Sequence, residues 1–240
     1  MGTHADALIA KWGKHFPTDD LLVLAEAGYG KQIGLGKRPA LLVVDATYSF
    51  CGHEPLPIFE AIHKNRRSCG ALAWAAMPKM QQLLAGARAA GIPVLFSAMR
   101  DPADPAYEPG LWGAKNVRGV EDDGGKAGGG RDNEIVDELK PLPGEIVIAK
   151  DKASFFHGTG LIASLVAKNV DSLIICGGTT SGCVYATALD GFSHNYKTVI
   201  AADASFDRVQ MPHWAALVDF DMKYGDATPT SEILAQLRTK

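Results

Sequence analysis

Two kinds of apolar pattern alternate along the chain. Short β-rich runs occur at ALLVVDAT (40–47), IPVLFSAM (92–99), EIVIAK (145–150), SLIICG (172–177) and TVIAADAS (198–205), each bounded by Gly, Pro, Asp or Asn. Near-continuous apolar runs of this length, rich in Val, Ile and Leu, mark strands buried on both faces. Between them lie stretches with helical spacing, at 73–90, about 159–169, about 183–195 and 213–223, with 231–238 as a terminal helix. Strand–helix–strand order with buried strands predicts an α/β doubly wound chain, a three-layer αβα sandwich around a mainly parallel sheet of about six strands. Residues 100–133 break the rhythm with a stretch rich in Pro, Gly and charge, glycine-rich near residue 124. A loop of that length is a surface excursion, or else a lid or an oligomer contact over the strand ends.

Length and composition narrow the classes. At 240 residues, one domain is expected, and 47% apolar with 21% charged residues excludes disordered, fibrous and coiled-coil chains. Lys and Arg number 24 against 27 Asp and Glu, giving −3 without any Lys/Arg block. The broad basic footprint of a nucleic-acid binder is therefore missing. His4 and Asp6 sit where a secretory signal needs apolar residues, and no apolar stretch approaches 18 residues, so neither secretion nor a membrane partner is expected. Asp6 also breaks the myristoylation pattern begun by Met1-Gly2. A cytoplasmic protein is the expectation. Cys51, Cys69, Cys176 and Cys183 show no CxxC pair and no zinc-finger spacing, so they are core residues or chemistry.

The common cofactor motifs are absent too. Gly28, Gly30 and Gly34 precede the first strand with the wrong spacing for G-x-G-x-x-G, and Gly124-Gly125-Lys126 lacks the rest of a phosphate loop. No G-x-S-x-G elbow is present. The seven histidines never pair as H-x-H or at i, i+4, so no catalytic metal and no cofactor are expected.

In an open α/β sheet ligands gather at the carboxyl ends of strands, which directs attention to what stands there. The first strand ends in Asp45, the third in Lys150, and the fourth in Gly177 followed by GTTSGC, which puts Cys183 at the start of a helical stretch. A helix N-terminus lowers a thiol's pKa. Singly, each residue has a plain structural explanation: an Asp capping a turn, a solvated Lys, a buried Cys. Together they supply a base, a cation and a nucleophile along one sheet edge.

Three segments resemble the isochorismatase-like cysteine hydrolases: VVDATYSF, with their D-x-x-x-x-F; KDKASFFHGTGL, with their K-x-x-x-S-A-F-x-G-T-x-L; and GGTTSGCVYATALDGFSHNYKTVIAADASFDR, with their cysteine segment. GTTSGCV followed by AT is most similar to the N-carbamoylsarcosine amidase branch. The resemblance runs over about 37–235 and implies a hydrolase domain at 37–240 after an extension at 1–36. It implies Asp45 as general base and acid, Lys150 as the cation favouring the thiolate, and Cys183 as nucleophile. It also implies an oxyanion hole from the amides of Thr179 and Cys183, with a cis Gly178–Thr179 peptide, and assembly as a homodimer or homotetramer. Arg208 resembles an arginine that relatives direct at substrate or at a neighbouring subunit; a salt bridge to Asp203 or Asp207 is its structural alternative. Phe50, five residues after Asp45, is a pocket wall or else a core residue, Trp74 and Trp112 are candidates for the interface or pocket rim, and His213 is a capping or packing residue.

Departures matter as well. MRDPADP has no histidine where metal-binding nicotinamidases of the family carry Asp-x-His, and Cys183 stands where true isochorismatases have Gly. Phe155, Ala46 and Thr47 also depart from frequent family residues. The expected activity is cofactor-independent cleavage of a C–N bond in a small amide, ureido or carbamoyl compound, with ammonia release. The alternative is a catalytically silent or redox-responsive thiol protein of the same fold, acting as a binding module.

Overall fold

The computed structural model describes residues 2–116 and 130–238. In chain order the elements are α1 (Gly2–Trp12), α2 (Thr18–Glu26), β1 (Pro39–Val44), α3 (Tyr48–Cys51), α4 (Ile58–Lys64), α5 (Ala71–Ala89), β2 (Val94–Met99) and α6 (Leu111–Asn116). There follow β3 (Ile146–Lys150), α7 (Leu161–Ala167), β4 (Ser172–Gly178), α8 (Tyr185–Ser193), β5 (Lys197–Phe206), α9 (Gln210–Lys223), β6 (Asp226–Thr228) and α10 (Thr230–Arg238). The six strands form one all-parallel sheet in the order β3-β2-β1-β4-β5-β6. The chain lays down β1 near the centre, builds outward through β2 and β3, then returns to β4 on the other side. A topological switch point therefore lies between β1 and β4, where α/β sheets open a crevice.

Each buried strand feeds two cores because successive side chains point to opposite faces. Leu41 and Val43 of β1 pack with α5 and α10 on one face, whereas Ala40, Leu42 and Val44 pack with α7, α8 and α9 on the other. The five strands expected from sequence are present within a few residues. β3 departs from the fully buried pattern: it is an edge strand whose burial alternates, leaving Val147 49% exposed while Lys150 points inward. β6 has only three residues, too short for a periodicity signal.

Two helices precede the sheet. Leu8, Trp12 and Leu21 are buried in the α9-side core. The buried carboxylate of Asp221 in α9 fastens α1: it accepts from Trp12 Nε1 at 2.9 Å, pairs with Lys11 Nζ at 2.8 Å, and accepts the Ala227 amide at 2.8 Å. A buried carboxylate with three donors is stabilising rather than costly. No helix among the described residues is long and apolar enough to cross a membrane.

Candidate active site

β1 leaves the core through Asp45, which is fully buried and sits at φ +47, a left-handed conformation that Asp tolerates better than most residues. Ser97 fixes it. In register opposite Val44, Ser97 accepts the Asp45 amide at its carbonyl at 3.1 Å and donates its hydroxyl to Asp45 Oδ1 at 2.7 Å. A lone serine inside the apolar run IPVLFSAM was the available signal for this partner, and sequence reasoning missed it.

Lys150 ends β3, two strands from β1, and its ammonium reaches across β2. Nζ lies 2.7 Å from Asp45 Oδ2, 3.4 Å from Cys183 Sγ, 3.0 Å from the Lys152 carbonyl and 3.4 Å from Met99 Sδ. Both charged side chains of the pair are wholly buried. Burial alone would push the ammonium towards neutrality, but the Asp45 carboxylate and the Cys183 sulfur outweigh it and hold the Lys150 pKa above its usual value.

β4 ends in Gly177-Gly178, and the Gly178–Thr179 peptide is cis. Gly177 has φ +108, and a Cβ there would meet the Val44 carbonyl oxygen at 2.0 Å, so only glycine lets the strand end run this close to β1. The next residues form a π-helical turn, Thr180–Val184, with Gly182 outside helical dihedrals; α8 begins only at Tyr185. Cys183 therefore sits in a π-turn rather than in the first turn of an α-helix. Its thiol corrects a second expectation: burial pushes its pKa up to about 12, Asp45 adds to that, and the pull of Lys150 does not reverse it. The resting thiol is protonated, because desolvation of a thiolate exceeds what one shared cation returns.

The three sequence-predicted chemical residues thus meet around one ammonium, and Thr179, buried, begins the turn that carries Cys183. Its carbonyl accepts the amides of Gly182 and Val184 at 3.0 and 3.1 Å. Ser181 and Thr180, also unforeseen, are anchored from outside the turn. Ser181 donates its amide and hydroxyl to Asp207 Oδ2 at 2.9 and 2.7 Å, and Thr180 Oγ1 lies 2.8 Å from Nδ1 of buried His213. His213 is accordingly a packing residue, as expected, but one that touches the cysteine turn.

Other expectations fare differently. Phe50 lies in the α5-side core, opposite the cluster that holds Cys183. Arg208 makes neither expected salt bridge: its guanidinium donates to the Arg67 carbonyl, and Asp207 receives only its backbone amide, at 2.8 Å. Asp203 instead accepts from the Thr230 amide and hydroxyl. Trp74 donates to the Cys51 carbonyl, and Trp112 packs against both cores. The long loop is anchored at both ends. Lys152 holds the carbonyls of Glu108 and Pro109, and the return leg pairs Ile135 with Thr47, two residues past Asp45. Its middle, including Gly124-Gly125-Lys126 and the tip expected as lid or contact, lies outside the described residues. Among those described, no cluster of three or more His, Cys, Asp or Glu side chains is placed to hold a metal ion.

The arrangement is a buried acid, ammonium and thiol at the switch point of a parallel sheet. The isochorismatase domain matches residues 39–232, and the chain belongs to the isochorismatase-like hydrolase family. It is 31% identical over 210 residues to the maleamate amidohydrolase of Pseudomonas putida, covering 88% of this chain and 92% of that protein. It is 30% identical over 220 residues to the N-carbamoylsarcosine amidase of an Arthrobacter species, covering 88% and 76% respectively. Among solved structures, the cysteine hydrolase of Pseudomonas syringae pv. phaseolicola superposes with a TM-score of 0.71, at 23% identity over 84% of this chain and 93% of that one.

Proposed function

We propose that this protein is a cofactor-independent cysteine amidohydrolase acting on a small amide, ureido or carbamoyl compound, with residues 37–240 as the hydrolase domain. The observation that carries the reading is the Lys150 ammonium standing 2.7 Å from Asp45 and 3.4 Å from Cys183, all three buried at the switch point. A chain that buries a charge pair against a thiol has arranged to move a proton there.

The chemistry follows from the protonation states. The Cys183 proton passes to Asp45 as sulfur attacks the carbonyl carbon, so the thiolate exists only as the new C–S bond forms. Lys150 keeps its proton throughout and offsets the charge passing from Asp45 to sulfur. The amides of Thr179 and Cys183 receive the developing oxyanion; one such donor is worth about 2.7–4 kcal/mol. Collapse breaks the C–N bond, Asp45 returns the proton to nitrogen, and ammonia leaves a thioester. Water then gives a proton to Asp45 and attacks; the C–S bond breaks and the sulfur is reprotonated. Arg208 is the candidate carboxylate partner. Maleamate and N-carbamoylsarcosine, which name two relatives, each join an amide or urea nitrogen to a carboxylate, and a guanidinium such as that of Arg208 suits a carboxylate.

A redox-responsive thiol gains nothing from the geometry. Cys51, Cys69 and Cys176 all pack on the opposite face of the sheet from Cys183, which leaves it without a resolving partner. The test is ammonia release from maleamate, N-carbamoylsarcosine and a panel of related amides. Cys183→Ala is expected to lower turnover about a thousandfold or more; release that survives the substitution would sink the reading.

A further inference from the structure

Asp207 is a buried acid that the chemistry above does not use. It follows Phe206, the residue of β5 in register with Gly178, and so stands beside Thr179 where the cysteine turn begins. It is 3% exposed, and its hydrogen-bond partners are the Ser181 amide and hydroxyl and the Arg208 amide rather than a cation. A buried carboxylate without a counter-ion persists only when both oxygens are fully used. Here they are: Oδ2 takes the Ser181 amide and hydroxyl, and Oδ1 takes the Arg208 amide at 2.8 Å. One oxygen therefore ties the turn holding the thiol to the end of β5, while the other is satisfied locally by the next amide along the chain.

The turn needs such an anchor. Gly182, immediately before Cys183, lies at φ −111 and ψ −106, outside helical geometry, so no regular hydrogen-bond ladder fixes the thiol's direction. The Thr179 carbonyl holds the turn from within, and two contacts anchor it from outside: His213 on Thr180 and Asp207 on Ser181. An asparagine of the same shape presents only one acceptor oxygen to the three donors, so it serves one segment and abandons the other.

We infer that Asp207 is a positioning residue, a clasp that holds the Cys183 turn against the end of β5 and so against Lys150. The inference rests on Cys183 as the nucleophile. A shift of about 1 Å in a reacting atom costs on the order of a hundredfold in rate, so the clasp belongs to kcat more than to KM.

The experiment compares ammonia-release kinetics, thermal unfolding and peptide-resolved hydrogen exchange for the full-length wild type, Asp207→Asn, Ser181→Ala and the double variant. Asp207→Asn is expected to lower kcat tenfold to a hundredfold with KM within threefold. The double variant is expected to be no worse than Asp207→Asn alone, because both remove the same link. Exchange across 179–184 is expected to quicken at least tenfold while the strands keep their protection. A kcat within twofold of wild type, effects that multiply, or a rise in KM alone overturns the inference. If ammonia release proves independent of Cys183, the amidohydrolase reading falls by itself, and unchanged exchange in the turn then overturns the clasp separately. Should Asp207→Asn not fold, Ser181→Ala carries the test: a threefold to tenfold loss of kcat supports the clasp and wild-type kcat refutes it.

Discussion

At the residue scale, the Cys183 thiol decides how the site works. Held at about 12, it is about one part in ten thousand thiolate at pH 8. Nucleophilicity therefore waits for Asp45 to take the proton during attack, unlike in enzymes that store a thiolate. Burial is the largest influence on the thiol and Lys150 the main opposing one, so removing the ammonium moves the thiol higher still. In the substrate-free protein, alkylation of Cys183 by iodoacetamide is expected to rise about tenfold per pH unit from 7 to 10 without levelling, following thiolate fraction. Lys150→Met is expected to slow alkylation at every pH in that range. A plateau below pH 9, read by mass spectrometry of the labelled peptide, would show a preformed thiolate and contradict this account. The helix-start position suggested a low-pKa thiol because sequence reveals neighbours along the chain but not depth below the surface.

At the element scale, what matters is how closely β1 and β4 approach at the switch point. Val44 and Gly177 are register partners, and the absence of a side chain at Gly177 admits the Val44 carbonyl. Gly177→Ala combines a clash of backbone against Cβ with a positive φ, and is expected to destabilise by more than about 2 kcal/mol. It also displaces the strand end that leads to Thr179 and Cys183, so activity should fall further than the fraction unfolded explains. Thermal unfolding and specific activity per folded molecule check it; an alanine variant with wild-type Tm and turnover would refute the close-approach argument. Strands β1, β2, β4 and β5 were legible because burial on both faces writes an unbroken apolar run. The π-turn was not, since GTTSGCV carries no periodicity that separates it from a helix start. The pairings of Ser97 with Asp45 and of Asp207 with Ser181 join residues 52 and 26 positions apart, a relation that only tertiary structure creates.

For the whole molecule, the same burial that mutes Cys183 acts on every cysteine. Cys69, Cys176 and Cys183 are raised to about 12 and Cys51 is held well above its ordinary value, in each case chiefly by desolvation. Absence of CxxC spacing made core residues or chemistry the two options at the sequence level; the fold divides them, with three thiols on the α5 side of the sheet and one on the other. Unfolded, these thiols ionise near 9, so between about pH 9 and 12 the unfolded chain releases protons that the folded protein keeps. Stability thus falls as pH rises, by up to about 1.4 kcal/mol per pH unit for each thiol, and is fully present below pH 9. Lys150, whose folded pKa is also raised, acts in the same sense at its own higher range. Denaturant unfolding at intervals from pH 8 to 11 is expected to show a flat region followed by a steep decline. Cys176→Val, which removes one thiol from the middle of β4 at nearly constant volume, is expected to make that decline shallower by about one thiol's share. An identical slope in the variant would mean that Cys176 ionises alike in both states, and that the strand core is wetter than its burial implies.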